Sequence, residues 1–161
     1  MVAHVGDFGL ARFDSQSRTN NSSTITVKGI VGYSAPEYGL GMAASKEGDI
    51  YSFGIVLIEL MTAKSPIDTM FEGDLDLHKY AQLGLLSDEL MNIIDPRLLN
   101  NCGSPRNDIK IIECIGSVME MGVKCSAESP QNRMRIEDAI SELKKTRDIW
   151  LKELRIMDRY A

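Results

Sequence analysis

The stretch that decides the fold begins with Asp7-Phe8-Gly9 and ends with Ala35-Pro36-Glu37, in a chain of 161 residues. Asp7 follows a short run, Val2-Ala3-His4-Val5, that is typical of a β-strand. Its carboxylate is the kind of oxygen ligand that a hard divalent cation prefers. Gly9 lets the backbone turn sharply, and Phe8 offers an apolar anchor beside the charge. Asp7 is therefore a candidate metal ligand.

Three further motifs follow along the chain. They are Gly29-Ile30-Val31-Gly32-Tyr33-Ser34-Ala35-Pro36-Glu37-Tyr38, then Asp49-Ile50-Tyr51-Ser52-Phe53-Gly54, and finally Ser129-Pro130-Gln131-Asn132-Arg133-Met134. Together with Asp7-Phe8-Gly9, and in this order and spacing, they closely resemble the back half of a protein kinase domain. More narrowly, they resemble plant receptor-like serine/threonine kinases with leucine-rich-repeat ectodomains. The resemblance covers nearly the whole chain.

The resemblance implies a mainly α fold, that of the large C-terminal lobe of a kinase, with a short β segment before Asp7. The whole chain, residues 1–161, would form one partial kinase domain. Its parts would be a strand over residues 1–6, an activation segment over 7–37, a helical lobe over 38–154 and a tail over 155–161.

The same resemblance implies ATP and magnesium as cofactors of the parent family. In the family, the residue that matches Asp7 chelates the magnesium bound to ATP, and Phe8 and Gly9 complete this cofactor-binding motif. The motifs that precede it in a kinase are absent from this sequence: the glycine-rich loop, the strand lysine, the helix glutamate and the H-R-D catalytic loop. The chain therefore holds no catalytic-loop aspartate, and we expect neither cofactor to bind tightly to it alone.

The segment from residue 12 to residue 28 is rich in Ser, Thr, Asn, Asp and Gln, and it corresponds to the activation loop of the family. A phosphate on one of its hydroxyls would pair with a basic side chain and order the loop. An unmodified polar loop is the alternative, and the sequence does not decide between the two. The candidate phosphorylation sites are Ser15, Ser17, Thr19, Ser22, Ser23, Thr24 and Thr26.

The loop that begins at Gly29 matches the place where a substrate peptide docks in the family. The resemblance therefore assigns Gly29, Ile30, Gly32 and Tyr33 to substrate docking. Serine/threonine kinases usually carry a threonine where this chain has Ile30, and the threonine hydroxyl can reach the catalytic carboxylate. Isoleucine cannot form that hydrogen bond, so this substitution counts against efficient catalysis.

A long helix is predicted after Ser45, which is a candidate N-cap, and it should end at Met61 or Thr62. The helix is apolar nearly all round, which predicts that it is buried. In the family, the residue that matches Asp49 holds the catalytic loop. Without that loop, Asp49 is either unpaired or caps its own helix.

The resemblance also implies a structural ion pair. In the family, the arginine that matches Arg133 pairs with the glutamate that matches Glu37. A buried bidentate pair of this kind would fix the docking loop to the helical lobe. The alternative is that Arg133 is an ordinary surface arginine.

Two later helices carry apolar residues at helical spacing. In the first, which can start at Ser104-Pro105, the residues predicted to face the core are Ile109, Ile112, Gly116, Met119 and Val123. In the final helix they are Ile136, Ile140, Leu143, Trp150 and Leu154. His78 is predicted to be a surface residue of a shorter helix.

Composition narrows the classes of partner and compartment. A net charge of −5 and a pI near 5.1 argue against a nucleic-acid or anionic membrane surface. No apolar run is long enough for a membrane span, so no membrane contact is expected from this chain itself. The three cysteines do not form a zinc-binding pattern and are expected to be reduced. These features predict the cytoplasmic side, and plasma-membrane residence is implied only for a full-length family member.

Three interpretations of function remain open. The chain is the C-terminal lobe of an ATP-dependent serine/threonine receptor-like kinase and is inactive by itself, or it is a non-catalytic interaction module that binds the partners of a kinase. A truncated reading frame with a barely stable product is the third. The expected partners are protein substrates or members of a receptor complex.

Overall fold

The computed structural model describes residues 32–87, 89–99 and 105–157, with the side chains of 105–108 and 153–157 excepted. Within these ranges, all regular structure is helical. The expectation of a mainly α fold is confirmed, whereas the strand predicted over residues 1–6 lies outside the described residues.

Six α-helices follow one another in the described part of the chain, with two short 3-10 turns between them. The 3-10 turns are Pro96–Leu98 and Pro130–Asn132. The helices are α1 (Pro36–Gly39), α2 (Lys46–Thr62), α3 (Leu77–Leu86), α4 (Leu90–Ile93), α5 (Pro105–Cys125) and α6 (Ile136–Met157).

Local chemistry sets both ends of α2. At its start, the Ser45 hydroxyl oxygen accepts a hydrogen bond from the Gly48 N–H at 3.0 Å, which is the arrangement of an N-cap. At its end, Ala63 adopts a φ of 53°, in the left-handed region, and its N–H donates to the Glu59 carbonyl. The predicted cap and the predicted end at Met61 or Thr62 agree with these bounds.

The core forms where α2 packs against α5. One cluster of buried apolar side chains joins α2, α3 and α5, and it includes Ile55, Ile58, Leu77, Ala81, Ile115 and Met119. A smaller cluster joins α2, α5 and α6 through Leu57, Met121, Cys125 and Ala139. α2 and α5 both contribute to the two clusters, so this helix pair is the centre on which α3 and α6 pack.

The prediction that α2 is buried all round is wrong for two of its side chains. Leu60 is 58% exposed and Val56 is 39% exposed. The main neighbours of α2 are α5 and α3, which cover only part of its circumference. Apolar composition indicates which side chains can be buried, whereas the number of neighbouring helices decides which of them are.

The predicted core faces of α5 and α6 are correct only in part. In α5, Met119 is fully buried, but Ile109 is 59% exposed and its place in the core is taken by Ile111 and Ile115. In α6, Ile136 and Ile140 are exposed, while the side chains that pack on the clusters are Ala139, Leu143 and Trp150. Each helix offers two overlapping apolar stripes, and helical spacing alone does not say which one is covered.

His78 is not the surface residue that the sequence predicts. It is half-buried on α3, and its Nδ1 lies 2.7 Å from the Ser126 hydroxyl oxygen at the end of α5. That hydroxyl donates to the Gly122 carbonyl at 2.8 Å, so His78 Nδ1 is the donor in the first bond. Burial lowers the pKa of His78, which favours the neutral ring in this position.

The crossing of α2 and α5 depends on two glycines that face each other. A Cβ added at Gly54 would lie 2.6 Å from the Gly122 carbonyl oxygen and 2.7 Å from the Ser126 nitrogen. A Cβ added at Gly122 would lie 2.7 Å from Ile58 Cγ1. The two helix backbones therefore approach more closely than any side chain at these positions would permit.

We expect Gly54→Ala to destabilise the chain by roughly 1–3 kcal/mol, the usual cost of forcing extra atoms into a packed interface. The clash is with backbone atoms of α5, which cannot rotate away as a side chain can. Urea unfolding followed by circular dichroism measures the change in free energy of unfolding.

Gly39→Ala is the matched control, because no atom lies within 4 Å of a Cβ added there. Its free energy of unfolding should stay within about 0.5 kcal/mol of the parent. Equal unfolding midpoints for the two variants would contradict the tight crossing.

Candidate functional site

The docking loop that the sequence predicts is attached to α2 by two hydrogen bonds at Tyr33. The Tyr33 hydroxyl donates to Glu59 Oε2 at 2.7 Å, and the Ser52 hydroxyl donates to the Tyr33 carbonyl oxygen at 2.8 Å. Ser52 and Glu59 are seven residues apart, which is two helical turns and therefore the same side of α2. We name Gly32, Tyr33, Ser52 and Glu59 the docking platform.

Gly32 brings the loop onto the turn that follows α2. Its φ of 88° lies in the region that favours glycine, and a Cβ built there would lie 2.8 Å from Pro66 Cβ. Any other residue would be strained in its backbone and would also push against the proline ring. The conformation of the loop is therefore tied to the position of Pro66.

The environment of Tyr33 keeps its hydroxyl protonated. Burial raises the pKa of Tyr33, and the hydrogen bond to Glu59 and the charge of that carboxylate raise it further. The phenol therefore remains a donor across the physiological pH range, which is the state that its bond to Glu59 requires.

The structure brings Glu37 and Arg133 together. Arg133 Nη1 lies 2.7 Å from Glu37 Oε1, and Nη2 lies 2.7 Å from Oε2, which is a bidentate pair. The side chains are 1% and 7% exposed for Arg133 and Glu37, respectively. The alternative of a surface arginine is therefore wrong.

The remaining N–H groups of Arg133 also find acceptors. Nη1 donates to the Glu47 carbonyl at 2.9 Å, Nη2 to the Glu128 carbonyl at 3.0 Å, and Nε to the Ala127 carbonyl at 2.9 Å. A guanidinium has five N–H donors, and each of them has a partner here. This arrangement is what allows the charge to be buried.

Tyr51 is a further partner that the sequence did not reveal. Its ring, carried by α2, lies 5.1 Å from Arg133 Cζ, within the range of a cation–π contact. The sequence also did not reveal the roles of Ser52 and Glu59, which bond to Tyr33 in the docking platform. The available signal was weak: these are polar or amphipathic residues on a helix that is otherwise apolar.

Asp49 does not cap α2, because Ser45 does. Asp49 lies in the first turn, where its charge favours the helix dipole, and it is exposed. Within the part of the chain that the structure describes, its carboxylate forms no hydrogen bond or ion pair. Of the two alternatives that the sequence left open, the unpaired one holds among these residues.

The other predicted site residues lie outside the described residues. They are the metal-ligand candidate Asp7 with Phe8 and Gly9, the docking residues Gly29 and Ile30, and the hydroxyls Ser15, Ser17, Thr19, Ser22, Ser23, Thr24 and Thr26. In the described ranges, no group of three His, Cys, Asp or Glu side chains could hold a metal ion. No helix in those ranges is long and apolar enough to cross a membrane.

Arg133→Lys should destabilise the chain by at least about 2 kcal/mol, although it keeps the positive charge. Lysine has three donors without the planar fork, so at least two acceptors lose their partner, and each buried loss costs roughly 1–3 kcal/mol. Urea unfolding at neutral pH measures the effect.

Arg135→Lys is the control. The Arg135 side chain is 79% exposed, and its Nε lies 3.6 Å from Glu137 Oε2, which is a weak surface pair. The free energy of unfolding should therefore change by less than about 0.5 kcal/mol. Similar losses in both variants would contradict a special role for the Arg133 geometry.

The pair also predicts a loss of stability in acid. The hydrogen bonds from Arg133 hold the pKa of Glu37 below its ordinary value of 4.5. The ionised carboxylate therefore stabilises the fold fully above pH 4.5, and this contribution disappears as the pH falls through the lower pKa of the folded state. Unfolding midpoints between pH 6 and pH 3 should fall less steeply for Glu37→Gln than for the parent. The exposed control Glu142→Gln should follow the parent curve, and identical slopes for all three would contradict the linkage.

Known proteins share both the sequence and the fold. The chain matches the family model of protein tyrosine and serine/threonine kinases over residues 1–143. It is 40% identical over 147 residues to the LRR receptor-like serine/threonine-protein kinase EFR of Arabidopsis thaliana. It is 43% identical over 152 residues to the receptor kinase-like protein Xa21 of Oryza sativa subsp. japonica. Each alignment covers 89% of this chain, and 13% and 15% of the two relatives, respectively.

A solved structure resembles the helical part. It is the pseudokinase domain of BIR2, described as an immune regulator of the RLK/Pelle family, with a TM-score of 0.59 and 26% sequence identity. The superposition covers 74% of this chain and 34% of that one. This chain thus spans a minor part of each relative, and its helices correspond to part of a kinase domain. On the family match and these identities, the chain belongs to the protein tyrosine and serine/threonine kinase family, and plant leucine-rich-repeat receptor-like kinases are among its relatives.

Proposed function

We propose that this chain is the C-terminal lobe of a receptor-like serine/threonine kinase that transfers phosphate from Mg-ATP to Ser or Thr hydroxyls of proteins. The observation that carries the proposal is the docking platform, in which Gly32 and Tyr33 are fixed to α2 and to Pro66. A loop held in this way would present a fixed surface to a peptide, and this supports the proposal because phosphoryl transfer depends mainly on positioning and on electrostatic stabilisation.

The chain contributes two of the parts that this reaction needs. Asp7, in the motif with Phe8 and Gly9, would hold a magnesium ion, and that ion would supply positive charge to stabilise the phosphates of ATP. Residues 29–33 would bind the peptide that carries the acceptor hydroxyl. In the reaction, the bond from the γ-phosphorus to the bridging oxygen breaks, a bond to the acceptor oxygen forms, and ADP leaves. The proton of the acceptor hydroxyl would pass to the catalytic-loop aspartate of the parent kinase, which is not among these residues.

The chain by itself should not catalyse this reaction. The 161 residues contain no lysine of the phosphate site, no glycine-rich loop and no catalytic-loop aspartate to accept the hydroxyl proton. The partners are then proteins, as substrates or as members of a receptor complex. The site of action would be the cytoplasmic side, and for a full-length family member the cytoplasmic face of the plasma membrane.

A non-catalytic interaction module is the second candidate. Two observations favour it: the fold likeness to a pseudokinase domain, and Ile30 in the place where serine/threonine kinases usually have threonine. Such a module would use the same docking platform to bind a peptide without transferring phosphate.

An antibody against α6 gives the test, because it recovers the endogenous protein at its natural length. Intact mass spectrometry measures the mass of the captured protein. Its kinase activity is then assayed with labelled ATP, Mg²⁺ and a library of Ser- and Thr-containing peptides. Catalytic function predicts a mass above 17.9 kDa and magnesium-dependent transfer. Asp7→Asn in the same protein should reduce the rate at least ~100-fold, because a catalytic metal is worth several kcal/mol.

Asp14→Asn is the matched control, because it removes a carboxylate from the same segment without touching the motif. Its rate should remain within about twofold of the parent, as is usual for a change outside the chemistry. No transfer by the captured protein would overturn the catalytic proposal and favour the interaction module. Clear transfer by the purified 161-residue chain would overturn the expectation that it is inactive alone.

A further inference from the structure

A pocket of about 280 Å³ lies between the end of α2, the 3-10 turn at 96–98, α5 and α6. It is separate from the docking platform, and none of the residues assigned to docking, cofactor or metal lines it. The side chains that matter for its chemistry are Met61, Cys114, Val118, Leu143, Arg147 and Trp150.

The walls of the pocket are apolar. Cys114 is 6% exposed, and Val118 and Leu143 pack against the smaller core cluster. Trp150 packs against the main cluster from the side of α6. A cavity with such walls offers a water molecule few hydrogen-bond partners, so an apolar group fills it more favourably than water does.

The charge of the pocket is at its rim. The side chain of Arg147 is 61% exposed, and its Nη2 donates to Asp148 Oδ1 at 2.7 Å. Nε donates to the same oxygen at 3.0 Å, so Arg147 lines the pocket while its guanidinium is bonded to a neighbouring exposed carboxylate. A surface ion pair of this kind is worth only about 0–1 kcal/mol, so Arg147 can exchange Asp148 for another carboxylate at little cost.

We propose that this pocket binds one small amphiphilic acid, with its apolar chain between α5 and α6 and its carboxylate at Arg147. The volume sets the scale of the ligand: an enclosed cavity of about 150 Å³ holds benzene, so about 280 Å³ corresponds to roughly ten non-hydrogen atoms. The apolar walls select the body of the ligand, and the guanidinium at the rim selects the sign of its charged end.

Trp150 makes the proposal directly measurable, because it is the single tryptophan of the chain and lines the pocket. Octanoate is the probe, and octanol is its neutral match. Added to the full 161-residue chain, octanoate should shift the Trp150 emission to shorter wavelength, with saturation at one molecule per chain. It should also raise the thermal unfolding midpoint, because a ligand that binds only the folded state stabilises it.

Two variants test the two ends of the ligand. Val118→Phe fills the pocket and should weaken octanoate binding at least tenfold, whereas Ile136→Phe introduces the same side chain at an exposed position of α6 and should leave affinity unchanged. Arg147→Gln should weaken octanoate at least threefold and leave octanol unchanged. Because Arg147 is at the surface, this variant should fold in any case.

Each of these binding measurements has an outcome that contradicts the proposal. No saturable change in Trp150 emission at millimolar octanoate overturns the proposal, as does unchanged affinity in folded Val118→Phe. If Val118→Phe does not fold, Arg147→Gln decides: an equal effect on octanoate and octanol, or none on either, overturns the assignment of the carboxylate to Arg147.

Discussion

The buried guanidinium of Arg133 is the interaction on which the rest of the structure depends. A charge in this position is tolerated only when every donor is matched, because an unpaired buried charge is far more costly than an unpaired neutral group. The acceptors come from three places: the Glu37 carboxylate in α1, the Glu47 carbonyl at the start of α2, and the 127–128 turn. No one of these segments can shift without leaving part of the guanidinium unsatisfied.

This constraint reaches the docking platform through a short length of chain. Glu37 is only four residues beyond Tyr33, so α1 holds one end of the docking loop while Gly32 holds it against Pro66 at the other. Between these points, Ser52 and Glu59 bind Tyr33 to α2. The described part of this loop, residues 32–37, is therefore held by contacts with α2, with Pro66 and with Arg133.

α2 contacts both the docking loop and α5, because different sides of this helix face the two elements. One side presents Ser52 and Glu59 to the docking loop, and another presents Gly54 and Ile58 to α5. The close crossing at Gly54 sets the distance between α2 and the end of α5, and the turn that supplies Ala127 and Glu128 follows directly. The packing of the core and the geometry around Arg133 are therefore coupled through one helix.

The sequence by itself determined the family, the long helix from its Ser45 cap, and the residues of the ion pair. These depend on local chemistry or on motifs whose residue types have few substitutes. Only the tertiary structure decided which stripe of α5 and of α6 is buried, why Leu60 remains in solvent, and that Tyr51 and His78 have partners. The physical reason is that periodicity fixes the spacing of apolar side chains along a helix, whereas the covered side depends on neighbours that are distant in sequence.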